Sequence, residues 1–283
     1  MLIIHTISEL QSELKQRRQA GRSLALVPTM GNLHPGHLQL VSTAQQHAET
    51  VIVTIFVNPT QFSAHEDLDS YPRTFKDDCQ KLESLNTDIL FAPSIDEIYP
   101  HGGKNTSHVH VPHITEVLCG ASRPGHFDGV TTIVCKLFNI CQADIAVFGE
   151  KDFQQLAVIR RMVDDLNIPI RIIGEPIVRE ADGLAMSSRN GYLSEEERAI
   201  APRFHQILQH TKQAILTTGT NLNSIVSRAK KDLIEAGFKP DYLHIYQRHE
   251  LKPATQQNKE LIIVAAAFLG STRLIDNVYV NRT

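Results

Sequence analysis

The sequence predicts an α/β protein in two parts, a doubly wound parallel sheet over residues 1–180 followed by a smaller α+β domain over residues 181–283. Three observations carry that prediction. Short apolar runs alternate with helical periodicity up to about residue 176, and strands linked through helices are joined by crossovers that leave them parallel. The run Val51 to Val57 (Val-Ile-Val-Thr-Ile-Phe-Val) is apolar almost throughout instead of at every second position, as a strand covered on both faces requires. After Pro176 the alternation stops and helices are followed by strands, which places the boundary near residues 176 to 186.

The elements follow in order. Leu24 to Val27 reads as a buried strand ended by Pro28, and Gly36 to His47 carries apolar residues at helical spacing. Val51 to Val57 ends at Asn58-Pro59. A helix over Pro72 to Leu85 sets Phe75, Cys79, Leu82 and Leu85 on one face, and Asp88 to Phe91 is the next strand. Tyr99 to Gly129 is irregular and rich in glycine and histidine, a long loop with a short strand at Val109 to Val111. Beyond it come a helix over Val130 to Cys141, a strand at Asp144 to Phe148, a helix over Phe153 to Leu166 and a strand at Ile170 to Ile173. In the second part Asp182-Gly183 supplies a turn, and Ser194-Glu195-Glu196-Glu197 opens a long helix with acids in its first turn. A further helix spans Asn221 to Ala236, and strands at Asp241 to Tyr246, Leu261 to Leu269 and Arg273 to Val278 complete the chain.

Composition narrows the classes of function. With 283 residues and 42% hydrophobic content the chain can bury a large core, and a net charge of −3 without a lysine-arginine stripe disfavours a nucleic-acid or anionic-membrane partner. Met1-Leu2-Ile3-Ile4-His5 lacks the basic flank and long apolar core of a signal peptide. Leu261 to Leu269 falls far short of the roughly 20 apolar residues that span a bilayer. A cytoplasmic protein is expected. Cys79, Cys119, Cys135 and Cys141 form no Cys-x-x-Cys pair, so they read as small buried hydrophobes and stay outside the site.

The chemistry concentrates in Pro28-Thr29-Met30-Gly31-Asn32-Leu33-His34-Pro35-Gly36-His37, a turn set between a strand and a helix. Unpaired amides and the positive end of a helix dipole at such a junction can hold a triphosphate, and Gly31 and Gly36 permit close approach. His34 and His37 can both donate N–H bonds to a phosphoryl group as its charge grows. Against this stand a purely local role, with His34 capping the helix and His37 on a surface face, and a zinc role. The zinc reading is weaker, because the pair is three apart instead of four and straddles a glycine.

Other polar residues fall where strands end, the place where open α/β sheets bind ligands. Gln61, after Asn58-Pro59-Thr60, offers an amide for a ligand with hydroxyls and a carboxylate, or is a solvated turn residue. In Gly149-Glu150-Lys151-Asp152-Phe153-Gln154-Gln155, Gly149 allows backbone approach, Lys151 can balance phosphate charge, and Asp152 can accept from a ribose hydroxyl or cap the helix. Met186-Ser187-Ser188-Arg189 can clamp departing phosphates or form a surface turn. Arg123 to Gly129 reads as a mobile wall or as a helix entry capped by Asp128. Asp77-Asp78 can help hold Mg²⁺, but two acids on a helix surface read first as solvated charge.

Six segments in order resemble the pantoate–β-alanine ligase family, over nearly the whole chain. They are residues 28–37 quoted above, Phe-Val-Asn-Pro-Thr-Gln-Phe at 56–62, Tyr-Pro-Arg-Thr at 71–74, Arg-Pro-Gly-His-Phe-Asp-Gly-Val at 123–130, Phe-Gly-Glu-Lys-Asp-Phe-Gln-Gln at 148–155 and Met-Ser-Ser-Arg at 186–189. The resemblance implies a nucleotidylyltransferase-type Rossmann domain, a C-terminal lid, a homodimer, and ATP-dependent joining of (R)-pantoate to β-alanine through an acyl adenylate. It implies ATP contacts at Met30, Gly31, Asn32, Leu33, His34, Pro35, Gly36 and His37, with both histidines on the phosphates and His37 the proton donor. Further ATP contacts are implied at Gly149, Glu150, Lys151, Asp152, Val178 (adenine, through its backbone), Met186, Ser187, Ser188 and Arg189. His34, His37, Lys151 and Arg189 form the implied catalytic set, Gln61 and Gln155 hold pantoate, and Gln61 also meets β-alanine. Mg²⁺ accompanies ATP with no protein ligand assigned, since Lys81 stands where a further polar ligand to accompany Asp77 and Asp78 is expected. Two other readings of the same residues are a nucleotidylyltransferase acting on a phosphate ester, against which the paired glutamines speak, and an ATP sensor without turnover.

Overall fold

The computed structural model describes residues 1–62, 68–217 and 221–282. Its chain divides into a first unit of Met1–Glu150 and Gln154–Pro176 and a second of Lys151–Phe153 and Ile177–Thr283.

In the first unit the elements run β1 (Leu2–Ile4), α1 (Ile7–Gln19), β2 (Leu24–Thr29), α2 (Pro35–His47), β3 (Thr50–Ile55), α3 (Phe75–Ser84) and β4 (Ile89–Phe91). They continue with the short α4 (Ile95–Ile98) and α5 (Cys119–Ser122), then α6 (His126–Cys141), β5 (Ile145–Gly149), α7 (Phe153–Asp165) and β6 (Arg171–Glu175). The sheet has six strands in the order β1-β4-β3-β2-β5-β6, and every pairing is parallel. Side chains alternate across it. Ala25, Val27, Val51, Val53, Leu90, Ile145 and Val147 pack with Leu40, Val41 and Ala44 of α2 and Leu82 of α3. Leu24, Leu26 and Ile52, at the intervening positions, are equally buried. Burial of both sets explains why these strands are apolar at consecutive positions.

The strand order puts the topological switch at β2, which pairs with β3 on one side and β5 on the other. The crossovers run from β2 through β3 to β4 on one side and from β5 to β6 on the other, so the loops after β2 and β5 open a crevice at their carboxyl ends. There α2 begins.

The second unit holds α8 (Glu195–Ile200), α9 (Arg203–Thr217), α10 (Leu222–Glu235) and the antiparallel sheet β7 (Lys239–Gln247), β8 (Glu260–Leu269) and β9 (Thr272–Asn281), in that order. Phe204, Ile207 and Leu208 of α9 and Leu233 of α10 share a core with Leu243, Ile263 and Ala265 of the sheet.

Several expectations need correction. Pro28 does not end the first strand, which runs on through it to Thr29 with Pro28 opposite Thr54 of β3. The segment Val109 to Val111 forms no strand: the Val109 amide donates to Thr132 Oγ1 at 3.0 Å and its carbonyl accepts from Thr131, so side chains of α6 satisfy it instead of another strand. The long helix opened by Ser194 is two helices. Ser194 and Glu197 form a reciprocal capping box at the start of α8, but Pro202 has no N–H to extend it and the chain restarts as α9. The helix expected from Val130 begins at His126, because Gly125 at φ +80° turns the chain into it four residues earlier.

The expectation of four buried cysteines holds for two of them, since Cys79 and Cys135 are only half-buried. All four are free of disulfides, Cys119 and Cys141 are buried, and burial pushes the Cys141 thiol up to about 12. Among the described residues no helix is long and apolar enough to cross a membrane.

Candidate active site

The Met30–His37 turn occupies the carboxyl end of β2, and its two imidazoles begin α2 as a reciprocal cap. His34 is the N-cap and its Nδ1 accepts from the Gly36 amide at 3.1 Å. Three residues on, His37 Nδ1 accepts from the His34 amide at 3.3 Å. A ring nitrogen that accepts carries no proton, so both imidazoles hold theirs on Nε2. The local capping role thus falls to Nδ1 of each ring. Their centroids lie 4.0 Å apart at the positive end of the α2 dipole.

The amides of this turn differ from expectation. Gly31 N–H donates to Thr29 Oγ1 at 3.2 Å, Asn32 N–H to Asp78 Oδ2 at 2.9 Å and Leu33 N–H to Asp78 Oδ1 at 2.8 Å. They are committed inward, so these three amides do not form an open nest.

Asp78 corrects the solvated-charge reading of Asp77-Asp78. Its residue is 0% exposed, whereas Asp77 lies on the surface. Thr74 Oγ1 also donates to Asp78 Oδ2, at 3.2 Å, and Lys81 Nζ, one turn further along α3, donates to the Leu33 carbonyl at 2.7 Å. With both carboxylate oxygens engaged by the turn, Asp78 does not fit the part of a cation ligand. Among the described residues no group of three or more histidine, cysteine or acidic side chains could hold a metal ion.

Gln61 lies in a 3₁₀ turn, Pro59–Gln61, after β3. Asn58 organises it, a residue that sequence reasoning passed over as a strand terminator. Asn58 is 1% exposed. Its Nδ2 donates to Gln61 Oε1 at 3.0 Å and to the Gly129 carbonyl at 3.1 Å, while its Oδ1 accepts from the Tyr99 hydroxyl at 2.8 Å. Burial pushes the Tyr99 hydroxyl above its ordinary value, which keeps it a donor. Gln61 Nε2 donates to Met30 Sδ at 3.1 Å, so the amide is oriented at both ends yet retains capacity for a ligand at each. Arg123 and His126, in the segment expected to be a mobile wall, bond to the Gln61 carbonyl at 3.5 and 2.7 Å. Asp128 does not cap that helix; its Oδ1 pairs with His110 Nδ1 at 2.8 Å.

Gly129 lets α6 approach this turn. A Cβ there would stand 2.4 Å from the Thr60 carbonyl oxygen and 2.7 Å from Gln61 Cα, both backbone atoms that cannot swing aside. Gly129→Ala is therefore expected to lose roughly 1–3 kcal/mol of stability and to raise the KM of whatever Gln61 binds. Urea unfolding and steady-state kinetics check both; an unchanged unfolding midpoint would contradict the close packing.

At the end of β5, a Cβ on Gly149 would reach Leu40 Cδ2 of α2 at 4.0 Å, which sets Gly149 beside the helix that the histidines begin. Gln154 and Gln155 have different surroundings. Gln154, 6% exposed, ties down residues 114–119, accepting from the Cys119 amide at 3.0 Å and donating to the Ile114 and Val117 carbonyls at 2.8 and 2.7 Å. Gln155 is half-buried and adjoins Gln154 on α7.

Lys151 and Asp152 group with the second unit, where the Lys151 carbonyl accepts from Asn277 Nδ2 at 3.1 Å and Lys151 Nζ lies 3.8 Å from Asp152 Oδ2. In the same unit the Val178 carbonyl accepts from the Met186 amide at 3.0 Å, closing a hairpin over Asp182-Gly183. Ser187 then caps a 3₁₀ turn, Ser188–Tyr192, its Oγ accepting from the Arg189 amide at 3.3 Å. Arg179 braces the hairpin. It donates to the Gly183 carbonyl at 3.1 Å and in bidentate fashion to Asp276 of β9 at 2.8 and 2.9 Å.

A doubly wound sheet whose switch-point helix opens on two Nε2–H imidazoles defines a Rossmann-like α/β enzyme of the nucleotide-handling class. The model of the pantoate-beta-alanine ligase family matches residues 2–279. The chain is 52% identical to a pantothenate synthetase of Pseudomonas savastanoi pv. phaseolicola over 283 residues, 100% of each chain. It is 40% identical to the crystal structure of pantothenate synthetase from Thermus thermophilus, with a TM-score of 0.91 over 98% of this chain and 99% of that one. The pantoate-beta-alanine ligase of Francisella tularensis, solved complexed with beta-gamma ATP and beta-alanine, matches at 35% identity and a TM-score of 0.81 over 98% and 97%. The chain belongs to the pantoate-beta-alanine ligase family.

Proposed function

We propose that this enzyme condenses (R)-pantoate with β-alanine at the expense of ATP, giving pantothenate, AMP and pyrophosphate through a pantoyl adenylate. Family membership supports the reaction, as does the Francisella tularensis complex with beta-gamma ATP and beta-alanine. The observation that carries the mechanism is the imidazole pair, each ring pinned through Nδ1 and bearing its proton on Nε2.

The pantoate carboxylate attacks the α-phosphorus of ATP, the bond to the bridging oxygen of the β-phosphate breaks, and pyrophosphate leaves. Charge grows on the phosphoryl oxygens and on the leaving group, and preoriented N–H donors stabilise it more than the ground state. His34 and His37 fill that role, with His37 donating toward the leaving oxygens; Lys151 and Arg189 balance phosphate charge, and Ser187 and Ser188 hydrogen-bond the departing pyrophosphate. The remaining residues from Met30 to Gly36, with Glu150 and Met186, line the nucleotide, Gly149 and Asp152 meet the ribose, and Val178 meets the adenine through its backbone. Gln61 and Gln155 orient pantoate. The uncharged amine of β-alanine, placed by Gln61, then attacks the acyl carbon and AMP departs. Mg²⁺ enters as part of the substrate, held by phosphate oxygens and water.

The enzyme is further proposed to work in the cytoplasm as a homodimer. Sedimentation equilibrium reporting a dimer mass supports that assembly, and a monomer mass rejects it. The reaction itself is tested by incubating the protein with Mg·ATP, (R)-pantoate and β-alanine. Equimolar pantothenate and AMP that require all three substrates are expected; ADP in place of AMP would reject the adenylate route.

A further inference from the structure

Neither Asp78 nor Lys81 has a part in the chemistry above, yet both grip the peptide chain immediately before the histidines. Gly31 and Asn32 take positive φ angles of +81° and +51° in succession, a turn that free peptides seldom adopt. Asp78 holds it open, its two oxygens bridging the consecutive amides of Asn32 and Leu33 at 2.9 and 2.8 Å. Lys81 Nζ takes the next carbonyl, Leu33 O, at 2.7 Å. That carbonyl and the His34 N–H are the two ends of one planar peptide. The His34 N–H is the donor to His37 Nδ1. A cation on the carbonyl end of a peptide polarises its N–H end and strengthens the bond that end donates.

We propose that Asp78 and Lys81 are positioning residues that act on His37 through the Leu33–His34 peptide, fixing the plane of that peptide and with it the Nε2–H tautomer of the ring. The inference rests on the role given to His37 above. Asp78 acts by shaping the turn, not by binding metal, and Lys81 stands where it does to hold the peptide's carbonyl. Buried Leu82, next along α3, locks both residues to the core beneath the sheet.

The test uses Lys81→Met, Lys81→Arg and Asp78→Asn in the full-length enzyme, with ¹⁵N-imidazole NMR to read the His37 tautomer and AMP formation to read turnover. Lys81 is only half-buried, so its variants fold even where Asp78→Asn does not. Lys81→Met is expected to give a mixture of His37 tautomers and a kcat lower by roughly tenfold, with the Mg²⁺ concentration for half-saturation unchanged. Lys81→Arg, which keeps a cationic donor, is expected to restore both readouts. A Lys81→Met enzyme with wild-type tautomer and turnover overturns the proposal, as does an Asp78→Asn defect that excess Mg²⁺ relieves. Should the wild type form no AMP from ATP and pantoate, the functional reading falls, and the imidazole spectra of the same variants still decide whether the clamp sets the ring.

Discussion

His37→Ala is expected to lower kcat by at least about 10²–10³-fold, the loss measured when one preorganised donor is removed from a developing anion. The geometry makes the expectation specific. His37 contributes Nδ1 to the cap of α2, and Nε2–H to the phosphates in the proposed mechanism. Alanine removes both, but losing one half of a capping box costs only about 1 kcal/mol, so the fold survives. ATP affinity is expected to fall far less than turnover, because the ring's donor bond strengthens mainly as negative charge develops. Calorimetric ATP binding, melting temperature and kcat measured on one preparation separate the three effects. Near-normal turnover would remove His37 from the chemistry, and a collapsed melting temperature would make it a structural cap alone.

The second large effect is expected in the second unit, at Asp276→Ala. Asp276 is 3% exposed and carries the bidentate bond from Arg179, with His205 Nδ1 3.2 Å from the same carboxylate. Removing the acid strands a guanidinium that is only 22% exposed, and breaking such a pair costs about 3–5 kcal/mol, the low end applying where water reaches one partner. Urea denaturation at neutral pH should record that loss; a change under about 0.5 kcal/mol would mean that the pair contributes no more than an ordinary surface substitution. The same pair imposes a pH dependence. Burial pushes the Asp276 carboxyl up, but His205 and Arg179 outweigh it and hold the group below the usual carboxylate range. A folded-state value lower than the unfolded one gives stability that is full above the ordinary value near about 3.9. It disappears as pH falls through the depressed folded value. Acid titration of the wild type should show this component, and Asp276→Ala should lack it.

Much of the fold was legible because β2, β3 and β5 are apolar at consecutive positions and each is followed by a helix with its own periodicity. Where the signal was weak, the elements went unread. β1 is three residues long, and α1, Ile-Ser-Glu-Leu-Gln-Ser-Glu-Leu-Lys-Gln-Arg-Arg-Gln, buries only Leu10 and Leu14, too sparse a stripe to stand out among charges. Pro202 was a visible break that the acidic first turn of α8 obscured.

The site divides in the same way. His34, His37 and Gln61 could be read because they lie in short segments with turn chemistry on either side. Their supports could not, since each depends on a contact between residues distant in sequence. Asp78 meets Leu33 across 45 positions and Asn58 meets Gly129 across 71. One signal was available: Asp78 and Lys81 are three apart, hence on one face of α3 with buried Leu82 beside them, and an acid so placed faces the protein. Local pattern points to the groups proposed for the chemistry; contacts between distant residues show what holds them in place.

The central claim is that the first half-reaction makes a pantoyl adenylate. Labelled pyrophosphate, Mg·ATP and (R)-pantoate incubated with the enzyme in the absence of β-alanine test it most directly. Label is expected to pass into ATP only when pantoate is present, since reversal of adenylation needs the bound acyl adenylate. No exchange, together with no product when β-alanine is added, or exchange that proceeds equally without pantoate, would contradict it.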